Sequence, residues 1–308
     1  MKISEVGGLI AAASKKATQP LMKIGAISII KRIVIAFQQA GIFPIVVVTG
    51  AQEPEVMYQL SAFGVIFLHN DNNEEPQLFD SVKLGLTYLE DKCDRVVFTP
   101  VNVPMFSPVT LNRLIATKGD IITPVFQGRG GHPVVISNVM IQPILSYQGK
   151  EGLRGAFNCF TERRTFVEVK DEGILQNVHS EQQLHQRLET YNRELLHPVA
   201  NLLIEKENPF FNARGKLLLF LISDTASVRK ACDMMALSYG KAWEMINALE
   251  KELGYPVVNR HQGGFKGGNT ELTSQGVAFL DAYQRLEDKV FRYTQKEFEL
   301  FLQDTSLL

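Results

Sequence analysis

An α/β fold with a mostly parallel, Rossmann-like sheet, followed by an α-rich second domain, is what this sequence predicts. From residue 1 to about 185, short β-branched runs alternate with helix-length amphipathic segments, the pattern of βαβ units covered on both faces. After about residue 197 the texture becomes nearly all helical, with glycines and β-type residues gathered in one stretch, 257–273. The length agrees with two domains, since 308 residues exceed the roughly 100 to 200 of one.

The first-domain strands are expected at 7–12 (GGLIAA), 45–50 (IVVVTG), 65–70 (VIFLHN), 95–101 (RVVFTPV), 121–126 (IITPVF), 132–137 (HPVVIS) and 165–170 (TFVEVK). Between the first two, Ile30, Ile33, Val34 and Phe37 recur at helical spacing, and Gly41 stands where a helix-ending glycine belongs. Segment 81–90 (SVKLGLTYLE) is a second helix of this kind. In such sheets ligands bind at the carboxyl ends of the strands. Residues 182–197 are polar and helix-forming, a short connector.

Past the connector, KLLLFLIS, SVRKACDMMAL and SYGKAWEMINALEKEL predict three helices. A Gly-rich hairpin over 257–273 and a long helix from about Ser274 to about Leu302 follow. Three short helices and a hairpin are the parts of a winged helix-turn-helix. Ser227 and Ser238 are natural N-caps. Val228, Ala231, Cys232 and Met235 form one buried stripe, and Ala242, Ile246, Leu249 and Leu253 the next. Tyr239, Gly240, Lys241 and Glu244 then lie on exposed first turns, where base edges are met in such proteins. Trp243 is expected to pack between helices.

Composition narrows the function classes. With 45% hydrophobic and 21% charged residues and a formal charge of −1, the chain is globular rather than disordered. No window approaches the roughly 20 apolar residues of a membrane helix. The start, MKISEVGGLIAAASKK, has one Lys before an apolar run broken by Glu5 and lacks the parts of a secretory signal, so a cytoplasmic location is expected. Cys93, Cys159 and Cys232 lie far apart with no C-x-x-C and no adjacent His cluster. Neither a disulfide framework nor a zinc site is indicated, and all three are expected as reduced core thiols.

Seven pieces carry a resemblance by their order. LIAAAS with PLMKIG, VTGAQEPEV, DSVKLGL, PVNVPMFSPVTLNRLI, GHPVVIS and GKEGLRGAF together resemble the nucleotidyltransferases that make dinucleotide forms of the molybdenum cofactor. The resemblance covers residues 1–190 and implies a sheet of the nucleotide-diphospho-sugar transferase type. It also implies a Gly-rich loop after the first strand, whose backbone N–H groups cradle phosphates. Here that loop reads AAASKKATQP, with Ala13 for the expected glycine and Gln19 for the Lys before Pro-Leu. Ala12, Ala13, Ser14, Lys15, Lys16, Asp80, Asn102 and His132 are thus the residues of a degenerate nucleotide site. Lys15 and Lys16 read equally well as solvated loop lysines.

Nucleotidyl transfer needs Mg²⁺ and carboxylates to hold it. The family's D-x-P aspartate falls on Asn102, and its later D-x-D-T falls on Asn177-Val178-His179-Ser180. The G-D-x-G stretch is Gly149-Lys150-Glu151-Gly152. No catalytic residue and no metal site is therefore expected. Gly131-His132-Pro133, Asp80, Ser81 and Arg154 keep family-like positions, so a pocket for a nucleotide or molybdopterin-type ligand can outlast turnover. His132 in a hydrogen-bonded turn and Arg154 in an ion pair are the plain structural alternative.

Residues 197–308 resemble the DNA-binding domain of molybdate-responsive regulators of the ModE type, which share their winged helix with LysR-type regulators. The run from Ser227 to Gly276 matches almost without interruption. The molybdate-binding modules that follow such a domain have no counterpart here, so molybdate sensing by the usual route is not expected. The resemblance implies double-stranded DNA as partner, with Ser227 and Arg229 on the second helix and Ser238, Tyr239, Gly240 and Lys241 on the recognition helix that follows it as DNA-binding residues. Arg260, His261 and Lys266 flank the wing glycines, and Arg260 and Lys266 are expected to meet phosphates. The basic residues of 227–266 barely outnumber the acidic ones, so a dimer is expected to supply enough phosphate contacts. Phe279, Tyr283, Leu286, Val290 and Tyr293 repeat at spacings of four and three along the last helix, a short coiled-coil seam suited to a homodimer.

The reading is a transcriptional regulator linked to molybdenum or molybdopterin metabolism, its transferase-like half a sensor or scaffold. The alternative is an active cytidylyl- or guanylyltransferase tethered to a DNA-binding module.

Overall fold

The computed structural model describes residues 4–13, 20–50, 52–71, 78–178, 196–260 and 269–305. They belong to two compact units, one of Met1–Leu60 with Val65–Leu196, the other of Ser61–Gly64 with His197–Leu308. The expected connector helix lies outside the described residues.

In the first unit the chain runs β1 (Ser4–Ala11), β2 (Lys23–Ile24), β3 (Ile27–Ser28), α1 (Ile29–Gln39), β4 (Ile45–Thr49), α2 (Glu53–Leu60) and β5 (Ile66–His69). It continues through α3 (Leu78–Leu89), β6 (Cys93–Pro100), α4 (Pro108–Ala116), β7 (Ile121–Phe126), β8 (Arg129–Gly130), β9 (Val134–Ser137), α5 (Ile141–Leu145), α6 (Gly152–Asn158) and β10 (Arg164–Glu168). The sheet order is β10-β7-β9-β6-β1-β4-β5, with β8 on β7. β5, β4, β1 and β6 are parallel, as are β7 and β10, while β9 runs antiparallel between β6 and β7. Sequence alternation alone does not show that reversal, because a buried antiparallel strand carries the same apolar run.

Every residue of β4 is buried, as a central strand covered on both faces requires. α1 buries Ile29, Ile30, Ile33, Val34 and Phe37, and Gly41 closes its end at φ +68, where a Cβ would be strained. α3 lies close on β1 because Gly85 leaves room for the Leu9 side chain. Ser107 caps α4, its Oγ accepting from Thr110 N at 3.1 Å, with Pro108 in the first turn. The sequence placed none of the helices α2, α4, α5 and α6 individually, and α5 and α6 have only five and seven residues in which to show a period.

The second unit starts with the antiparallel pair β11 (Leu203–Glu205) and β12 (Pro209–Asn212). Next come α7 (Ala213–Thr225), α8 (Val228–Met234), α9 (Tyr239–Leu253), β13 (Val258–Arg260), β14 (Thr270–Leu272) and α10 (Ser274–Thr305). Asn212 Oδ1 accepts from Arg214 N and Gly215 N at the start of α7. Ser227 Oγ and Ser238 Oγ cap α8 and α9, each accepting at 3.3 Å from the backbone N three residues on. β13 and β14 pair antiparallel. The Phe211 ring packs edge-on against Phe279 and Tyr283, both at 4.8 Å, so α10 begins by packing on its own unit.

Three expectations need correction. Cys93 and Cys232 are buried, but Cys159 is exposed, because it follows the last turn of the short helix α6 rather than sitting on an apolar stripe. Leu253, at the end of α9, is only half-buried. Of the expected seam, Phe279 and Tyr283 are engaged by Phe211, which leaves Leu286 and Tyr293 exposed.

Candidate functional site

Strand order reverses at β1, since β4 and β5 continue one way and β6 the other. Crevices form outside the carboxyl ends of strands at such a point. Ala11 pairs with both Val48 and Pro100, so three strands end level. Ala12 N donates to Val48 O at 2.9 Å and Val101 N to Ala11 O at 3.0 Å. Ala12 and Ala13 are buried, and a Cβ on Gly50 would press on the Ala13 carbonyl oxygen at 2.9 Å. The expected loop residues Ser14, Lys15, Lys16 and Gln19, and His179 with Ser180, lie outside the described residues.

Asn102 lies in the turn two residues past the end of β6. Its backbone oxygen accepts from Val178 N at 2.8 Å, and its Nδ2 donates to Asn177 Oδ1, also at 2.8 Å. The two positions expected to have lost metal-binding carboxylates are thus brought together. Asp171 holds the second segment in place: its Oδ2 accepts from Ser107 N at 2.8 Å and its Oδ1 from Gly173 N at 2.9 Å. Gly173 itself presses on the Met105 carbonyl, where no side chain fits.

The arrangement does not fit Mg²⁺. Hard divalent cations take carboxylate oxygens, whereas both amides are neutral and Asn177 Oδ1 is engaged by its neighbour. Among the described residues, no group of three or more His, Cys, Asp or Glu side chains could hold a metal.

His132 sits two residues before β9, which starts at Val134 rather than at the expected 132. Its ring stands edge-on to Phe98 at 5.4 Å, and its backbone N donates to Ile174 O at 2.9 Å. The residue is partly open, but Nδ1 is sealed from solvent and has no hydrogen-bond partner. Burial pushes the imidazole down to about 4, so it is neutral at pH 7. Arg154 is exposed on α6, and no ion pair forms on it among the described residues. Gly149 and Gly155 instead make room for the Tyr147 ring.

Asp80 and Ser81 lie in the first turns of α3. Buried Ser81 Oγ accepts from Asn70 Nδ2 at 3.1 Å, just past β5. Next to it is a polar cluster that sequence reasoning missed. Thr49 Oγ1 donates to Glu53 Oε1 at 2.8 Å, and His69 Nδ1 lies 2.6 Å from Glu53 Oε2. The signal was there: Thr49 and His69 are the last residues of β4 and β5, where ligand-side groups gather.

In the second unit, Tyr239, Gly240 and Lys241 occupy the exposed first turn of α9. Lys241 Nζ meets Glu244 Oε2 at 2.8 Å. Trp243 is half-buried: Tyr239 of the same helix stands edge-on to it at 6.1 Å, and the Arg260 guanidinium of β13 lies over it at 4.8 Å. Arg229 lies over Tyr239 at 5.5 Å. Arg260 Nη2 donates to Asn247 Oδ1 and to Glu250 Oε2, both at 2.7 Å. Glu250 Oε1 accepts from Val257 N at 2.9 Å and Val258 N at 3.2 Å. Spacings of four and three put residues 243, 247 and 250 on one helix face, which was the legible sign of this constellation. His261 and Lys266 lie outside the described residues.

An open, mostly parallel sheet with a crevice at its strand-order reversal defines a doubly wound α/β protein. The chain belongs to the family of the MobA-like NTP transferase domain, which matches residues 13–166. In fold the chain is similar to a nucleotidyl transferase from Methanothermobacter thermautotroptrophicus, with a TM-score of 0.52 and 20% identity over 61% of this chain and 98% of that one. A Mycobacterium sp. strain JC1 homologue of a Mycobacterium tuberculosis protein gives a TM-score of 0.51 at 17% identity, over 61% and 97%. At these identities the likeness is one of fold.

The C-terminal half is similar to curated proteins of another kind. It is 33% identical over 86 residues to the molybdenum-pterin-binding protein MopB of Rhodobacter capsulatus, covering 28% of this chain and 32% of that protein. It is 32% identical over 98 residues to the transcriptional regulator ModE of Haemophilus influenzae, covering 32% and 36%. The chain thus spans about a third of the length of these relatives. Among the described residues, no helix is long and apolar enough to cross a membrane.

Proposed function

We propose that the chain is a DNA-binding transcriptional regulator of molybdenum or molybdopterin metabolism, in which the transferase-like unit binds or scaffolds without transferring a nucleotidyl group. The observation that carries this reading is the Asn102–Asn177 amide pair at the mouth of the crevice. A transferase must neutralise phosphate charge as it develops, and Mg²⁺ held by carboxylates does that. Two neutral amides bonded to each other offer Mg²⁺ no carboxylate, which supports a unit that binds without transferring. What persists is shape: level strand ends, the Asn70–Ser81 bond and the neutral His132 can still receive a nucleotide or molybdopterin-type ligand.

The second unit supports the DNA reading. Of two Ser-capped helices in succession, the second presents Tyr239, Gly240 and Lys241 outward, and a hairpin strand is tied to that helix through Arg260. The relatives MopB and ModE, matched over a third of their length, bring the molybdenum link. A homodimer through the distal part of α10 completes the reading.

The test is a transfer assay with the purified chain, molybdopterin, Mg²⁺ and either CTP or GTP. No dinucleotide product is expected above the no-protein control. Multiple turnover that disappears when Asn102 is replaced would overturn the reading in favour of a tethered transferase.

A further inference from the structure

Both arginines flanking the Tyr239–Trp243 pair are stacked on a ring, yet their hydrogen-bonding groups are committed differently. Arg229, over Tyr239, has no hydrogen-bond partner among the described residues. Arg260, over Trp243, spends its Nη2 on Asn247 Oδ1 and Glu250 Oε2. Glu250 is 16% exposed and Arg260 52%, so this charge pair sits partly shielded between helix and strand. The other carboxylate oxygen of Glu250 takes the backbone N–H groups of Val257 and Val258, the first residues to enter the hairpin. One carboxylate therefore ties the hairpin to α9 twice, by backbone and by side chain. The Trp243 ring forms the third side of the clamp.

We propose that Arg260 is a positioning residue that locks the hairpin onto the DNA-reading face of α9, rather than a direct phosphate contact, and that Arg229 is the stacked arginine left available to DNA. The proposal rests on the DNA-binding reading and refines it. The chemistry distinguishes the two roles. A phosphate contact needs a positive charge, and lysine supplies one as well as arginine. A clamp that stacks on an indole while reaching two oxygens needs a planar fork, which lysine lacks. The sign of a second change is also diagnostic. Removing the negative charge of Glu250 near DNA strengthens binding if only charge counts, and weakens it if Glu250 fixes the hairpin.

The experiment titrates the full chain with a labelled random-sequence duplex pool and with the duplex it enriches from that pool, at several salt concentrations. Arg260→Lys, Arg260→Ala and Glu250→Gln are compared with the parent and with Arg229→Ala. Glu250→Gln keeps an acceptor for Val257 and Val258, so it guards against simple unfolding. The inference expects all three clamp variants to lose about tenfold on the enriched duplex with an unchanged salt slope. Arg229→Ala should lose affinity too, and its slope should flatten by about one unit if it meets a phosphate. Arg260→Lys binding like the parent, or Glu250→Gln binding more tightly, overturns the inference and leaves the DNA reading standing. Variants that melt earlier yet bind like the parent overturn it as well. A parent chain that binds no duplex at all removes the DNA reading and the inference together.

Discussion

Asn102 and Asn177 stand 75 positions apart in sequence and meet at 2.8 Å in the fold, and each was legible in the sequence as an amide standing where the family has a carboxylate. What motif reading lacked was their mutual bond, because a turn after β6 and a segment after β10 are joined only by the sheet. His132 shows the converse. Its position was readable from the Gly-His-Pro triplet, its burial was not, since Phe98 and Ile174 come from distant parts of the chain. That burial has a measurable consequence. An imidazole held near 4 in the fold titrates at about 6.5 when the chain unfolds, so the unfolded state takes up the proton first as the pH falls. The stabilisation is complete above about pH 6.5 and is lost as the pH drops through 4, up to about 3 kcal/mol. Denaturant titrations between about pH 7 and pH 4 should show this loss, and His132→Gln should reduce it. An unchanged pH profile in that variant would mean the imidazole is not what titrates.

Among the elements, α10 departs most instructively from its sequence pattern. The four-and-three repeat from Phe279 to Tyr293 reads as one seam, but the seam divides. Phe279 and Tyr283 lean on Phe211, Tyr283 Oη donates to Leu202 O at 2.8 Å, and Glu287 pairs with Lys216 of α7. Periodicity reports that a helix has an apolar face, and cannot say whether one partner covers all of it. Outside these contacts Leu286, Tyr293, Leu300 and Phe301 stay exposed, more apolar surface than a free helix end normally shows. Self-association through this distal half is the expected outcome. Sedimentation should give a dimer for the parent, and Leu286→Lys with Tyr293→Lys should shift it to monomer with the near half of α10 still folded. A concentration-independent monomer for the parent would contradict the seam. The clamp of Trp243, Glu250 and Arg260 belongs to this scale too: its helix face was legible in the spacing, but its long-range partner enters from β13 and was not.

For the whole molecule, the alternation of strands and helices and the change of texture near residue 197 were enough to place a mostly parallel sheet ahead of a helical region, and the ordered series of motifs implied its nucleotidyltransferase type. The antiparallel β9 and the short helices α5 and α6 were not legible, since a buried strand reads alike in either direction and five to seven residues carry too little periodicity. The first unit has Asn102 and Asn177 paired where the resemblance expects carboxylates, and the second has a paired-helix face with aromatic and basic groups outward. A two-fold protein reading DNA with such faces requires an inverted repeat, its half-sites one helical turn apart or a multiple of that. Selection from random duplexes with the purified full chain, followed by sequencing of what is retained, tests this most directly. Enrichment of one inverted repeat is the predicted result, and retained DNA no different in sequence from the input pool would contradict the regulator account.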